Sequence, residues 1–159
     1  MHGPPLKKKM ETDQANLRTL SEDLLRNWRD GRIKLYVTFQ ALNFRRKNHQ
    51  LFGAGAYLLQ AAEGPLTRNI CTFARQEENK TVLVIVPRFL TGLIPNTDTL
   101  PLGKVWGDSR LMISEEISGH EFRNIFTGET AFPAQHEGKK TLPLQKVFAD
   151  FPLALLEVS

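Results

Sequence analysis

The most informative part of this sequence is WRDGRIKLYV at residues 28–37, which continues through RR at 45–46 to LFGAGAY at 51–57. Its Asp30-Gly31 pair is typical of a turn. Beyond that turn, apolar residues recur at the three- and four-residue spacing of a helix. The stretch therefore predicts a turn, a long helix and, after the glycines, the first strand of a β-rich remainder.

The apolar residues of this predicted helix fall on two sides. One stripe contains Ile33, Val37, Ala41 and Phe44, and a second contains Leu35, Phe39 and Leu42. Because a helix at a protein surface normally keeps one polar face, two apolar stripes indicate that protein covers this helix on two sides. A buried strand at residues 35–37 is the alternative, since short apolar runs are ambiguous. The length of the pattern and the basic end at residues 45–47 favour the helix.

Upstream, Thr19 and Glu22 have the spacing of a capping box, which predicts a short helix from Thr19 to about Asn27. Residues 1–18, which include a run of three lysines, are predicted to be a disordered basic tail. We therefore divide the chain into this tail, a helical segment at residues 19–52 and a β domain at residues 53–159.

The periodicity after residue 53 is that of strands. Residues 81–86, TVLVIV, are apolar on both faces and predict a central strand. Other strands are predicted at residues 56–62, 69–76, 110–113, 121–126 and 153–158, with a turn at 127–129 and a short helix near 144–148. Two helices followed by six or more short strands predict a mainly β protein, an antiparallel β-sandwich with the N-terminal helices packed at one end.

Composition and charge narrow the function classes. The chain has 159 residues, a formal net charge of +4 and 41% hydrophobic residues, which fits a globular protein with a real core. The basic surplus lies in the first 47 residues, but no aromatic residues alternate with it as on a base-stacking surface, so nucleic acid is not a predicted partner. No apolar run could span a bilayer or serve as a secretory signal. We therefore expect no membrane partner and a cytoplasmic location.

The sequence contains few side chains that are arranged as catalytic groups. Glu77-Glu78 and Glu115-Glu116 are adjacent acids in hydrophilic turns, and Asp108 and Asp150 lie beside turn signals, where a carboxylate commonly caps a backbone amide. The four histidines show no metal-ligand spacing, and the single Cys71 has no second thiol. The sequence therefore predicts no catalytic pair, no metal site and no cofactor.

Two tryptophans are candidates for contact with carbohydrate, because the flat apolar face of an indole can stack on a sugar ring. These are Trp28 and Trp106, and Asp108 and Arg110 are the polar side chains expected to reach sugar hydroxyls. Packing in the core is the alternative for both tryptophans, since aromatic residues are mostly buried for their area.

Several motifs, taken in order along the chain, resemble the C-terminal portion of the maltooligosyl trehalose synthases, a family of the α-amylase superfamily. Residues 28–34 with Thr38, Ala41-Leu42 and Arg45-Arg46 resemble the last barrel helix of that family, and residues 51–58 resemble its entry into the terminal β-domain. The motifs downstream are Phe73-Ala74-Arg75, Leu100-Pro101-Leu102-Gly103, Trp106-Gly107-Asp108-Ser109-Arg110-Leu111, Phe122-Arg123-Asn124, Thr127-Gly128-Glu129 and Ala149-Asp150-Phe151-Pro152. The sequence departs from the family at Asn48, Ser109 and Phe122, where Pro, Thr and Trp are usual.

The resemblance implies an α-amylase-type C-terminal sandwich packed against the last barrel helix. It also implies a parent enzyme that isomerises the reducing-end α-1,4 linkage of maltooligosaccharides to an α,α-1,1 linkage. The catalytic residues of that family belong to a (β/α)8 barrel that precedes this segment. No catalytic residue is assigned to this chain, which we expect to be inactive alone.

The missing barrel is therefore the main expected partner. The side chains expected to face it are Ile33, Leu35, Val37, Phe39, Leu42 and Phe44. Without the barrel, we expect the exposed helix to drive self-association, since apolar patches larger than about a few hundred Å² tend to find partners. The alternative function is a stand-alone α-glucan-binding β-sandwich module. An independent hydrolase has no candidate residues in this sequence.

Overall fold

The computed structural model describes residues 14–159, with side chains from residue 16 onward. In this part of the chain three layers stack in order: a group of N-terminal helices, a six-stranded sheet and a four-stranded sheet. Every strand pair is antiparallel. This arrangement confirms the predicted antiparallel β-sandwich with N-terminal helices, although the helices lie on the face of the six-stranded sheet rather than at one end of the sandwich.

The helical layer contains α1 (Gln14–Arg26), a 3₁₀ turn (Trp28–Asp30), α2 (Arg32–Lys47) and α3 (His49–Gly53). The turn before α2 forms because Gly31 adopts a left-handed φ of 84° and the Asp30 carboxylate accepts a hydrogen bond from the Arg32 backbone at 2.9 Å. The predicted turn and long helix are confirmed, and the strand alternative is wrong. At 16 residues α2 is too short to cross a bilayer, and no other described helix is long and apolar enough to do so.

The predicted capping box is wrong, because Thr19 and Glu22 lie inside α1 rather than at its start. The Arg18 Nε donates to the Glu22 carboxylate at 3.1 Å, one helical turn away, and the Ser21 hydroxyl donates to the Arg18 carbonyl at 2.8 Å. The tail prediction is also wrong for residues 14–18, which continue the helix upstream. Residues 1–13 of the predicted tail lie outside the described residues.

The six-stranded sheet has the order β1-β3-β4-β10-β6-β7 and the four-stranded sheet the order β2-β5-β9-β8. Their strands are β1 (Ala56–Leu59), β2 (Ala61–Glu63), β3 (Ile70–Glu77), β4 (Lys80–Pro87), β5 (Arg110–Met112), β6 (Phe122–Asn124), β7 (Thr130–Ala131), β8 (Ala134–His136), β9 (Lys139–Pro143) and β10 (Ala154–Val158). The short helix α4 (Leu144–Val147) confirms the prediction near residues 144–148. The predicted strand at 56–62 divides at Gln60 between the two sheets.

The central position predicted for residues 81–86 is confirmed by the packing of β4. Leu83 and Ile85 are buried in the core between the two sheets, whereas Val82 is buried in the core between the six-stranded sheet and the helices. Successive side chains of a strand point to opposite faces, and from Val82 to Ile85 both faces are covered, whereas Val86 near the end of the strand is exposed. This is why β4 reads as a continuous apolar run.

Tyr36 fastens the helical layer to the sheet. It is the one fully buried side chain of α2, and its hydroxyl donates to the Phe126 carbonyl at 2.5 Å. Its ring meets Phe151 edge-on, with centroids 6.2 Å apart. Because a buried hydroxyl must keep a hydrogen-bond partner, this contact fixes the position of α2 on the sandwich.

Candidate functional site

Trp106 is a core residue and not a carbohydrate contact, which corrects that part of the sequence prediction. Its side chain is 0% exposed, and its ring packs against Phe148 with centroids 4.7 Å apart. The indole nitrogen donates to the Pro101 carbonyl at 2.8 Å. A ring enclosed in this way presents no face to a sugar. The core alternative considered from the sequence therefore holds for Trp106.

Trp28 lies in the 3₁₀ turn between α1 and α2 and is half-buried. The Arg29 guanidinium lies 5.5 Å from the centre of the indole ring, and Arg29 also forms an ion pair with Asp98. One side of the ring is thus occupied by a cation of the same chain. Contact of Trp28 with carbohydrate stays a prediction.

Asp108 and Arg110 lie near the start of β5, on the four-stranded sheet. Asp108 is exposed and Arg110 is half-buried, directly across from Glu63 of β2. Among the described residues, no side-chain hydrogen bond or ring contact joins either of them to Trp28. The structure therefore does not assemble the four predicted residues into one site, and their contact with carbohydrate rests on the sequence prediction.

Three pKa shifts are explained by hydrogen bonding or burial within the fold. Hydrogen bonds from the Arg32 backbone and side chain lower the pKa of the exposed Asp30. Burial raises the pKa of the Tyr36 phenol, and burial lowers the pKa of Lys140, whose amine donates to the Ile117 and Gly119 carbonyls at 2.5 and 3.1 Å. Within residues 14–159, no three His, Cys, Asp or Glu side chains are grouped so that they could hold a metal ion.

The helix side of the six-stranded sheet carries exposed apolar side chains, which we call the outer face. On α2, Leu35 and Leu42 are 60% and 58% exposed. On the sheet, Tyr57, Leu59 and Val86 are exposed, and their register places them on the side opposite the sandwich core. The outer face is therefore only partly covered by the helices of this chain.

The six side chains expected to face a barrel divide into two groups. Four are half-buried and pack against the core between helices and sheet, namely Ile33, Val37, Phe39 and Phe44. The other two, Leu35 and Leu42, belong to the outer face. That any of them contacts a barrel stays a prediction.

A cavity of about 280 Å³ opens at the β6–β7 edge of the six-stranded sheet. We call it the Phe132 cavity, after the exposed phenylalanine beside it. Its interior is lined by the buried Phe122, Val147, Phe151 and Leu156, and its rim carries Glu129, Phe132, Lys146 and Asp150. Glu129 and Asp150 each belong to a motif of the sequence, but no local pattern links them to Phe132 and Lys146, since the four are spread over 22 positions. Phe132, an exposed aromatic residue that follows β7 and precedes the half-buried Pro133, is the local signal that could have indicated this surface.

No protein-family model matches this sequence, and no curated protein sequence matches it. Among solved structures, the chain is similar to a mutant of maltooligosyltrehalose synthase from Arthrobacter ramosus, with a TM-score of 0.58 and 22% sequence identity. The match covers 89% of this chain but 17% of that enzyme, so the chain spans less than a fifth of the protein it matches. The match confirms, at the level of the fold, the resemblance drawn from the sequence motifs. The described chain has the fold of one segment of a maltooligosyltrehalose synthase.

Proposed function

We propose that this chain is the terminal β-sandwich of an enzyme that isomerises the reducing-end α-1,4 linkage of maltooligosaccharides to an α,α-1,1 linkage. Its own role is structural, and it is inactive alone. The collinear motifs from residue 28 to residue 152 support the proposal, and so does a fold shared with one segment of such an enzyme. Catalysis belongs to a barrel elsewhere in the parent protein.

The observation that carries this proposal is that α2 is apolar on two sides, of which only one is packed against this chain. One side is fastened to the sandwich through Tyr36, while the other side exposes Leu35 and Leu42. Covering each of these leucines would contribute about 1–2 kcal/mol, since burial of a whole leucine side chain contributes about 1.5–3 kcal/mol. A partner body on the outer face explains why a helix at the surface keeps these side chains apolar, and the barrel is the partner that we propose.

Expression of a longer reading frame, extended upstream of residue 1 to include any further coding sequence, tests the proposal. The longer protein should convert maltopentaose to a product without a reducing end, and residues 1–159 alone should leave maltopentaose unchanged. Loss of reducing ends, measured with time at equal molar concentration, separates the two proteins. Conversion by residues 1–159 alone, or an upstream sequence that encodes no barrel, would contradict the proposal.

A stand-alone α-glucan-binding module is the second candidate function. One observation favours it, which is the presence of a cavity with an exposed aromatic ring on its rim. This candidate function does not need a barrel, and it does not need the longer protein to convert maltopentaose. It requires only that the isolated chain binds α-glucan.

A further inference from the structure

We propose that the Phe132 cavity is a subsite for neutral oligosaccharide that holds one or two glucosyl units of a linear α-glucan. The choice of α-glucan rests on the proposed function, whereas the chemistry of the ligand rests on the cavity itself. This position on the sandwich is separate from Trp28 and Trp106, the contacts predicted from the sequence.

The size of the cavity suits a small ligand. Its volume of about 280 Å³ lies just below the range of about 300–1,000 Å³ that is typical of small-molecule pockets. The floor consists of Phe122, Val147 and Phe151, which are buried and also support the sandwich core and the helix contact. A floor built from core residues is rigid, so the cavity does not need to form when a ligand arrives.

Phe132 supplies the surface on which a sugar ring can lie. Its side chain is 60% exposed, and among the described residues it has no aromatic partner. An exposed phenylalanine costs hydration free energy that a core position would recover. The C–H face of a pyranose ring is apolar and flat, and can cover the phenylalanine while the sugar hydroxyls remain directed to polar groups.

The charges on the rim select a neutral ligand. Glu129 is already paired with Arg18 at 3.3 Å, so Asp150 and Lys146 are the rim charges that face the cavity without an ion pair among the described residues, and their opposite signs give neither an anion nor a cation a net attraction. Carboxylates accept hydrogen bonds from hydroxyl groups, and an ammonium group donates to them. A neutral ligand with many hydroxyls can use both kinds of charge without desolvating a charge of its own.

The turn between β6 and β7 is held in place by its own hydrogen bonds. The Asn124 side chain donates to the Leu153 carbonyl at 3.1 Å and accepts from the Phe126 backbone at 3.2 Å. The Thr127 hydroxyl accepts from the Glu129 backbone at 3.1 Å. These contacts fix the segment that carries the Glu129 carboxylate, and a preorganised rim reduces the entropy lost on binding.

Titration of the full 159-residue chain with maltotriose, followed by saturation-transfer NMR, tests the proposal. We expect saturable binding with a Kd of about 1 mM or tighter, the affinity that one or two stacked sugar rings can supply. Phe132→Ala should weaken binding about ten-fold, which corresponds to about 1.4 kcal/mol, because the sugar ring loses the aromatic surface on which it lies. Phe132→Trp should retain binding. The matched control is Phe89→Ala, which removes an exposed phenylalanine outside the cavity.

Asp150→Ala is a second variant, which loses a hydrogen-bond acceptor on the rim without touching the core. It should weaken maltotriose binding several-fold. The absence of saturable binding, or equal binding by the wild type and Phe132→Ala, overturns the subsite. Binding of cellotriose as tight as that of maltotriose overturns the assignment to α-glucan.

The outcomes separate this subsite from the proposed function. Conversion of maltopentaose by the longer protein, together with no maltotriose binding by this chain, would overturn the subsite alone. Maltotriose binding that depends on Phe132, together with no conversion by the longer protein, would overturn the proposed enzyme and leave a glucan-binding module.

Discussion

The Tyr36 hydroxyl and the Phe126 carbonyl lie 2.5 Å apart in the interior, although 90 positions separate them in the sequence. This contact joins the helical layer to the turn that follows β6. The Gln40 amide donates to the same hydroxyl at 3.3 Å, so the oxygen of Tyr36 both donates and accepts. Tyr36 therefore supplies the polar anchor of α2, beside the apolar packing of Ile33, Val37, Phe39 and Phe44.

Tyr36→Phe should therefore lower the free energy of unfolding by about 1–3 kcal/mol, because the Phe126 carbonyl would remain buried without its donor. Urea unfolding measures the change. Tyr57→Phe is the control, since Tyr57 is exposed and stacks on Phe73 through its ring rather than its hydroxyl. Equal stability of wild type and Tyr36→Phe would show that this hydrogen bond does not fasten the layer.

Tyr36 also predicts how stability changes at alkaline pH. Burial raises the pKa of its phenol in the folded state, so the unfolded chain loses the phenolic proton first as the pH rises. The stability contributed by the protonated phenol is complete below the ordinary tyrosine pKa of about 10 and is lost as the pH rises from there through the folded-state pKa. The free energy of unfolding should fall more steeply above about pH 10 in the wild type than in Tyr36→Phe. Parallel pH profiles for the two proteins would refute this.

The two tryptophans should differ in fluorescence and in their effect on stability. Trp28→Phe leaves only Trp106, whose emission should be blue-shifted and protected from acrylamide because the ring is fully buried. Trp106→Phe leaves Trp28, which should be quenched readily. Trp106→Ala should cost about 3–5 kcal/mol of unfolding free energy, the usual cost of truncating a large core aromatic. Strong quenching of the Trp28→Phe protein by acrylamide would show that Trp106 is exposed and not part of the core.

Gly64 lies where the backbone of the turn after β2 approaches Ser109. Its φ is +110°, and an added Cβ would lie 2.6 Å from the Ser109 Cα. Gly64→Ala should therefore lower the free energy of unfolding by about 2 kcal/mol or more, since both strain and backbone overlap oppose it. Gly53→Ala is the matched control, because no atom lies within 4 Å of its added Cβ. Similar unfolding midpoints for the two variants would contradict this reading of the turn.

Local sequence patterns predict those helices, strands and turns whose conformation depends mainly on neighbouring residues. The Asp30-Gly31 turn, α2 and β4 follow from spacing and turn chemistry over a few residues. Local patterns do not predict which sheet a strand joins. Nothing in residues 56–62 indicates that the chain divides at Gln60 into two strands that join different sheets. Strands β7, β8 and β9 were not predicted, since they are short and largely polar and exist through their pairing with distant strands.

The candidate site was harder to predict than the fold, for a related reason. A tryptophan side chain has the same apolar area whether it packs in a core or stacks on a sugar, so the sequence does not distinguish the two roles. Trp106 is buried because it packs against Phe148, which is distant in the sequence. The Phe132 cavity combines residues from β6, the following turn and α4. Tertiary packing alone brings them together. The capping box failed because a favourable local motif also fits inside a longer helix.

The proposed function depends on the claim that another protein surface covers the outer face. Sedimentation velocity of the isolated chain over a wide concentration range measures whether that face associates. We predict reversible self-association that strengthens with concentration, because Leu35 and Leu42 gain burial against a second copy when no barrel is present. The double variant Leu35→Glu, Leu42→Glu should sediment as a monomer, while Phe89→Glu should associate like the wild type. A wild-type chain that stays strictly monomeric at the highest concentration would contradict the claim.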